Sequence, residues 1–422
     1  MSVRQSSGAE RVTLKSVLTD PHVGPIIGIV FVLLTGLGLI FPIMPLFARS
    51  LGVGNDGAGL LISAFGFARL LGDLIGGSIV DRRGEQWTAV TGMAILIVCS
   101  SATASAPNFA LAVLFWGMAG IGSAISFAAL FSYILKAAPR DRVARTLSFF
   151  FGAFNIGVIV GGAVGGFVAD AFGLAAPLYA YSGVLVLGIA LYMRFVPPLS
   201  DGAAAETEET AAPEAAFSPG ARPSTRVVRD LLKVRGFPAA LFLNLAYLWV
   251  VGAVFATLLP LFAKDEIGLS TVAIGVLYAI GVGAEFIVLF PAGALSDSRG
   301  RRAVMLPSLA ALTLMIVAMG FSTNGVSLAV ALVFMSFASG FAAVPPAAIL
   351  SDVVPQEHSG RGVGAFRFCG DLGIFAAPLV VGVVSQSLGF EWAFAVAAVV
   401  PALALIVVVR TKETLRLERV TS

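Results

Sequence analysis

A run of about 20 apolar residues matches the thickness of bilayer hydrocarbon, and a chain that repeats such runs has little choice of fold. This chain repeats them twelve times. The first six lie at roughly 24–46, 58–80, 88–105, 109–136, 144–169 and 175–196. After a polar gap, six more lie at roughly 238–262, 271–295, 303–323, 326–352, 362–386 and 390–409. In hydrocarbon every backbone N–H and C=O needs a partner within the protein, which leaves helices and closed barrels. Barrel strands alternate lipid-facing and lumen-facing residues, and these runs are too long and too uniformly apolar for that. A soluble fold fails on composition. Hydrophobic residues make up 58% and charged residues 12%, against roughly 45–50% and 25% in soluble domains. The expectation is an all-α membrane protein of twelve transmembrane helices.

Lysine and arginine give the orientation. Twelve spans put both termini on one side. Arg82, Arg83, Lys136, Arg140, Arg142, Arg299, Arg301, Arg302, Arg361 and the basic tail from Arg410 share that side, while the opposite loops hold Arg49 and Lys264. Both termini are therefore expected in the cytoplasm, with the chain multi-pass in the plasma (inner) membrane. The gap reads "PPLSDGAAAETEETAAPEAAFSPGARPSTRVVRD". It is too polar to bury a core and is expected to be largely disordered, its basic end able to lie as a short helix on the membrane surface. The expected organisation is a cytoplasmic segment 1–23, a six-helix bundle 24–196, a linker 197–237, a second bundle 238–409 and a tail 410–422.

Several function classes are excluded. A net charge of +3 without a basic stripe does not suit nucleic acid. Cys99 and Cys369 lie in apolar runs, so neither a disulfide framework nor a metal site is indicated. His22 and His358 are isolated in loops, with no nucleotide-binding loop or nucleophile constellation beside them. An enzyme is not expected.

The halves repeat. "GSIVDRRGEQ" at Gly77 returns as "GALSDSRGRR" at Gly293. Asp81 and Asp297 differ by 216 positions, as do Gly84 and Gly300, Pro139 and Pro355, Arg145 and Arg361, Gly157 and Gly373, and Gly173 and Gly389. Parallel repeats of six helices are an architecture of secondary transporters, with substrate held between the halves near the midplane. On these residues the chain resembles the major facilitator superfamily, whose turn between helices two and three reads Gly-x-x-x-Asp-Arg-x-Gly-Arg-Arg. Here the first copy supplies Gly77, Asp81, Arg82, Arg83 and Gly84. The second supplies Gly293, Asp297, Arg299, Gly300, Arg301 and Arg302. The resemblance implies two pseudo-symmetric six-helix halves and a turn that latches them on the cytoplasmic side. Gly84 and Gly300 permit the tight reversal. Asp81 and Asp297 can cap the next helix or face a helix start.

The two copies differ in one informative way. Glu85 stands where the repeat has Arg301, and Lys136 stands where it has Asp352. Both partners have changed sign, which is simplest as one ion pair of reversed polarity. Glu85–Lys136 and Arg301–Asp352 are the expected rim pairs.

Helix five carries Gly157, Gly161, Gly162, Gly165 and Gly166, with Asn155 just before them. The pattern is similar to the Gly-x-x-x-Gly-Pro-x-x-Gly-Gly signature of drug/proton antiporters, with Gly162 in place of proline, and it implies a hinge. Close helix packing explains the same spacing. The antiporters' helix-four arginine falls on Trp116, so that organiser of proton coupling is missing. Trp116, Asn244 and Tyr247 are the candidate lining of a substrate cavity.

Intramembrane charges are costly and usually functional. They are Arg69, Asp73, Glu285, Arg367 and Asp371. Glu285 has no cation expected to face it, and a carboxyl in such surroundings is the group best placed to carry a proton. A rise of about 1.5 Å per residue puts Asp73 roughly 12 Å and Arg69 roughly 18 Å from the level of Asp81. It puts Arg367 roughly 9 Å and Asp371 roughly 15 Å from that of Arg361. Two rungs are then expected across the halves, Arg69 to Asp371 and Asp73 to Arg367. Pairing within each helix, at i and i+4, is the alternative.

Three functional readings fit. The first is proton-coupled export of small amphiphilic or drug-like compounds, implied by the antiporter resemblance and the scarcity of charge in helices one, four, seven and ten. The second is a proton-coupled nutrient, metabolite or lipid transporter of the same fold. The third is a membrane sensor that does not transport. Expected partners are a small-molecule substrate and the lipid bilayer, with no nucleic acid, and a monomer is expected. No cofactor is expected beyond the proton as coupling ion.

Overall fold

The structure, a computed structural model, describes residues 20–138, 143–197, 229–355 and 358–415, apart from the side chains of 74, 77–78, 81, 143–145 and 359–360. Most of the expected linker, the first 19 residues and the end of the tail lie outside the described residues. All regular elements among the described residues are helical. We number them α1 (Val23–Ile40, continuing as Met44–Ser50), α2 (55–83), α3 (85–104), α4 (Phe109–Ala137), α5 (Val143–Phe172) and α6 (Ala176–Phe195). The second half holds α7 (Phe237–Asp265), α8 (Thr271–Arg299), α9 (Arg301–Met319), α10 (Gly325–Val353), α11 (Ser359–Leu388) and α12 (Phe390–Arg410). Eleven stretches of the described residues are long and apolar enough to cross a membrane. The remaining expected run, 58–80, is the α2 arm of a 50-residue helix broken at Gly84, where φ is 76° and ψ 165°.

The helix breaks have local causes. Pro42 interrupts α1 over residues 41–43, because proline lacks an N–H and clashes with the carbonyl four residues earlier. In α7 the segment Val251–Leu258 widens into a π-helix just before Pro260. There the Thr257 hydroxyl donates to the Gly252 carbonyl at 2.8 Å. π-Turns of this kind are rare and favour functional sites.

The helices alternate between two ends. One end, here the terminal end, holds residues 20 and 415. The other is the far end. Packing repeats between the halves: α1 lies on α5 as α7 lies on α11, and α3 lies on α6 as α9 lies on α12. The most extensive contacts between the halves are two symmetry-related ones, α2 on α11 and α5 on α8. Large apolar side chains on the outer surface, such as Phe172 at 80% exposure and Val326 at 75%, suit a lipid-facing wall.

Small residues set how closely the halves approach. A Cβ on Gly59 of α2 would stand 2.1 Å from the Pro378 carbonyl of α11, and one on Gly166 of α5 would stand 2.4 Å from the Thr271 carbonyl of α8. Both contacts are in the far-end half. Nearer the terminal end, Gly152 and Gly364 have no neighbouring atom within 4 Å of where a Cβ would stand. The halves close on each other at the far end.

Candidate functional site

Between the halves lies a partly open cavity. α1 and α7 contribute its walls at the places where their helices are irregular: Phe41 and Met44 from one, Val251, Gly252 and Ala256 from the other. α2 and α4 add Phe65 and Trp116, whose rings stack with centroids 4.9 Å apart. Trp116 therefore lines the cavity. Asn244 and Tyr247 are not among its lining residues. The Asn244 amide donates to the Phe366 carbonyl at 2.7 Å and clasps α7 to α11. The Tyr247 hydroxyl donates to Glu285 Oε1 at 2.7 Å. Both polar side chains turn away from the apolar space to satisfy hydrogen bonds inside the second half, where a lone polar group is costly.

Glu285 is 8% exposed and sits in α8 beside Tyr247 and Tyr278. It makes no ion pair among the described residues. Asn155 donates to the Phe151 carbonyl of its own helix at 2.8 Å.

The four remaining intramembrane charges gather where α2 meets α11. Arg367 Nη2 lies 3.8 Å from Asp73 Oδ1, an ion pair across the halves. Arg69 and Asp371 both line the cavity, and no ion pair joins them among the described residues. Asp73 is influenced by Arg69, Arg367 and Asp371 together, so the four form one cluster. Phe127 of α4, unremarkable as a residue type in an apolar run, lies under both arginines. Its ring centroid is 6.0 Å from Arg69 Cζ and 5.2 Å from Arg367 Cζ. A cation over an aromatic face is worth about 0.5–2 kcal/mol, more when water is excluded.

At the terminal end the structure places both rim pairs. Lys136 Nζ lies 2.6 Å from Glu85 Oε1, with the Ser132 hydroxyl donating to the same oxygen at 3.1 Å. Arg301 Nε lies 3.3 Å from Asp352 Oδ2. Arg301 also pairs with Asp297 of its own turn. Asp297 is thus engaged by a side chain and does not cap α9. The cap comes from the tail: Glu413 accepts from the backbone N–H of Arg301 and of Arg302, each at 2.9 Å. Gly300 makes this approach possible, since its φ is 103° and a Cβ there would stand 2.6 Å from a Glu413 carboxylate oxygen. Thr414 donates to Asp352 at 2.9 Å, and Arg302 Nη2 donates to the Val409 carbonyl at 2.9 Å. Arg82, Arg83 and Arg299 are exposed, and Gly293 is half-buried. The side-chain positions of Gly77 and Asp81 lie outside the described residues.

The helix-five glycines form two packing stripes, and α5 runs unbroken through them. Gly157, Gly161 and Gly165 admit the backbone of α1, while Gly162 and Gly166 admit Tyr278 and Thr271 of α8 across the halves. The glycines make a close-packed crossing here, because spacings of four keep each stripe on one face.

At the far end three contacts join the halves. Arg49, ending α1, forms an ion pair with Asp265, ending α7. The Asn55 N–H donates to Gln386 Oε1 at 2.7 Å, and Thr271 donates to Asp170 at 2.9 Å. Arg49 and Asp265 are 216 positions apart, the repeat interval. They occupy equivalent places in the two halves and meet on the pseudo-two-fold axis.

Comparisons agree with this architecture. The family model for the Major Facilitator Superfamily matches residues 26–289 and 274–420. An uncharacterised MFS-type transporter of Methanocaldococcus jannaschii is 23% identical over 364 residues, covering 85% of this chain and 90% of that protein. The quinolone resistance protein NorA of Staphylococcus aureus is 25% identical over 141 residues, spanning 33% of this chain and 36% of NorA. Among solved structures, a mutant of the nucleoside transporter NupG superposes with a TM-score of 0.74 at 13% identity, covering 92% of this chain and 98% of that one. The human organic anion transporter MFSD10 (TETRAN) does so at 0.64 and 17%, covering 92% and 99%. With the family model matched across both halves and the fold shared over nearly the whole chain, the protein belongs to the major facilitator superfamily: it is a multi-pass membrane transporter of small molecules and not an enzyme.

Proposed function

We propose that the chain works by alternating access as a proton-coupled exporter of small amphiphilic compounds, with both termini cytoplasmic in the plasma membrane. The observation that carries the reading is the cavity. It lies between the halves, it is walled by apolar and aromatic side chains, and its charges are confined to Arg69 and Asp371. Such a site favours cargo with a large apolar body. The partial match to a quinolone resistance protein supports the same reading. Glu285 is the candidate proton carrier, since it is buried, bonded to Tyr247 and without an ion-pair partner among the described residues. A second reading, uptake or release of a metabolite, draws support from the nucleoside and organic anion transporters that share the fold.

Everted vesicles with an imposed proton gradient test the proposal. The exporter reading expects gradient-driven accumulation of a lipophilic dye. Glu285→Gln should abolish that accumulation and spare counterflow, where no net proton movement is needed. Accumulation with an unchanged pH dependence in Glu285→Gln refutes the proton role. Transport only in the opposite direction favours the second reading.

A further inference from the structure

The cavity carries information about the head group of its cargo. Of the four clustered charges, Asp73 and Arg367 are joined across the halves at 3.8 Å, and neither lines the cavity. Asp371 does line it but is 6% exposed, and its carboxyl lies close to that of Asp73. Arg69 differs. It lines the cavity and forms no ion pair among the described residues, and its buried Nε has no hydrogen-bond partner. Its guanidinium rests near the Phe127 ring, 6.0 Å from the centroid, which orients the group without using its N–H donors. A guanidinium has five donors and no acceptor, in a fork that fits an oxyanion.

Phe65 precedes Arg69 by four residues, so the two side chains leave the same face of α2, one turn apart. Phe65 stacks on Trp116 at an interplanar angle of 25°. Phe41, from α1, also lines the space and is itself stacked on Tyr278 at 11°. Flat aromatic surfaces therefore border the apolar part of the cavity, and Arg69 joins the same wall one turn further along α2.

We infer that the cavity takes a flat aromatic ligand with a single anionic head, its rings against Phe65–Trp116 and its carboxylate or sulfonate on Arg69. The inference rests on reading the chain's cargo as an amphiphile, and it adds the sign of the charge on its head. A cationic head would have to settle beside two arginines and reach a carboxylate that is already buried. An uncharged head offers Arg69 at most a neutral acceptor and forgoes the stronger bond between two ionised partners.

Binding to the purified full chain in detergent, measured by calorimetry, separates these cases without requiring transport. The probes are 2-naphthoate, 2-naphthamide and 2-naphthylmethylammonium, which share one ring system and differ in the head. Naphthoate should bind about ten-fold or more tightly than the amide, the scale of one charge-assisted pair. Arg69→Gln should remove that preference by weakening naphthoate while leaving the amide within about two-fold. Arg69→Lys, which keeps the charge, should retain part of it and covers the case in which the glutamine variant does not fold. Phe65→Ala should weaken acid and amide alike. Equal binding of acid and amide to the unaltered protein overturns the inference. So does tighter binding of the ammonium probe, lost in Asp371→Asn, or no binding by any of the three. In each of these cases proton-driven dye flux by the same protein reconstituted into sealed vesicles would leave the transport reading in place.

Discussion

Reversing one charge at the far end should change which side of the transporter is open. Arg49 and Asp265 close α1 against α7, with side chains 37% and 26% exposed. Two unit charges about 4 Å apart attract by about 4 kcal/mol at an effective dielectric of 20. Screening and side-chain ordering reduce exposed pairs to about 0.2–1 kcal/mol. This pair is partly sheltered, so about 1 kcal/mol is a fair value for its stabilisation of the closed far end. Arg49→Asp removes that attraction and adds a repulsion of similar size, a swing of about 2 kcal/mol, or about 30-fold in the ratio of closed to open. The assay is labelling of a single cysteine at Leu37, which lines the cavity, after Cys99 and Cys369 are replaced by alanine. A membrane-impermeant maleimide is added to vesicles sealed with the far end outward. Arg49→Asp and Asp265→Arg should each label about ten- to 30-fold faster than the parent, and the double exchange should return to the parental rate. In 1 M salt, where the screening length is about 3 Å, the single variants should lose much of their effect. If the double variant labels as fast as the singles, the contact does not hold the far end shut.

Four other outcomes follow from the packing and the rim. Gly161→Ala should destabilise the chain by about 1–3 kcal/mol, because its Cβ would stand 2.1 Å from the Thr35 carbonyl. Gly152→Ala, with nothing within 4 Å, should be neutral or stabilising by up to about 1 kcal/mol; thermal unfolding in detergent that ranks them the other way refutes the stripe assignment. Exchanging Glu85 and Lys136 should restore transport that either reversal alone impairs, by no more than about 1 kcal/mol, and a double variant no better than the singles removes the pair. Glu413→Gln should weaken the α9 cap by about 0.5–2 kcal/mol, seen as faster amide exchange over residues 301–304; unchanged exchange means that water caps that helix equally well.

The fold was legible because the bilayer imposes one length and one composition on every span, and the 216-residue offset carried the two-half organisation with it. The rim pairs could be read because both partners changed sign together. What was hidden depends on direction, which helical spacing alone does not give. Asn244 and Tyr247 sit at plausible levels, but their side chains satisfy hydrogen bonds within the second half. Phe127 looks like any other apolar residue of α4 until two arginines converge on it. The Glu413 cap comes from a tail with no periodic signal. Arg49 and Asp265 were visible as positions 216 apart, but equivalent positions touch only on the symmetry axis, and the sequence does not say where that axis passes.

That axial contact has a consequence for how such a chain can arise. In a dimer of two identical half-chains, residues that meet on the two-fold axis are the same residue, so an arginine there faces an arginine and an aspartate faces an aspartate. Either homodimer would repel at the place where this protein holds Arg49 against Asp265. The attraction exists only because the two halves differ at this site. Divergence of the halves is thus a precondition for this closure, and no assembly of two copies of either half reproduces it.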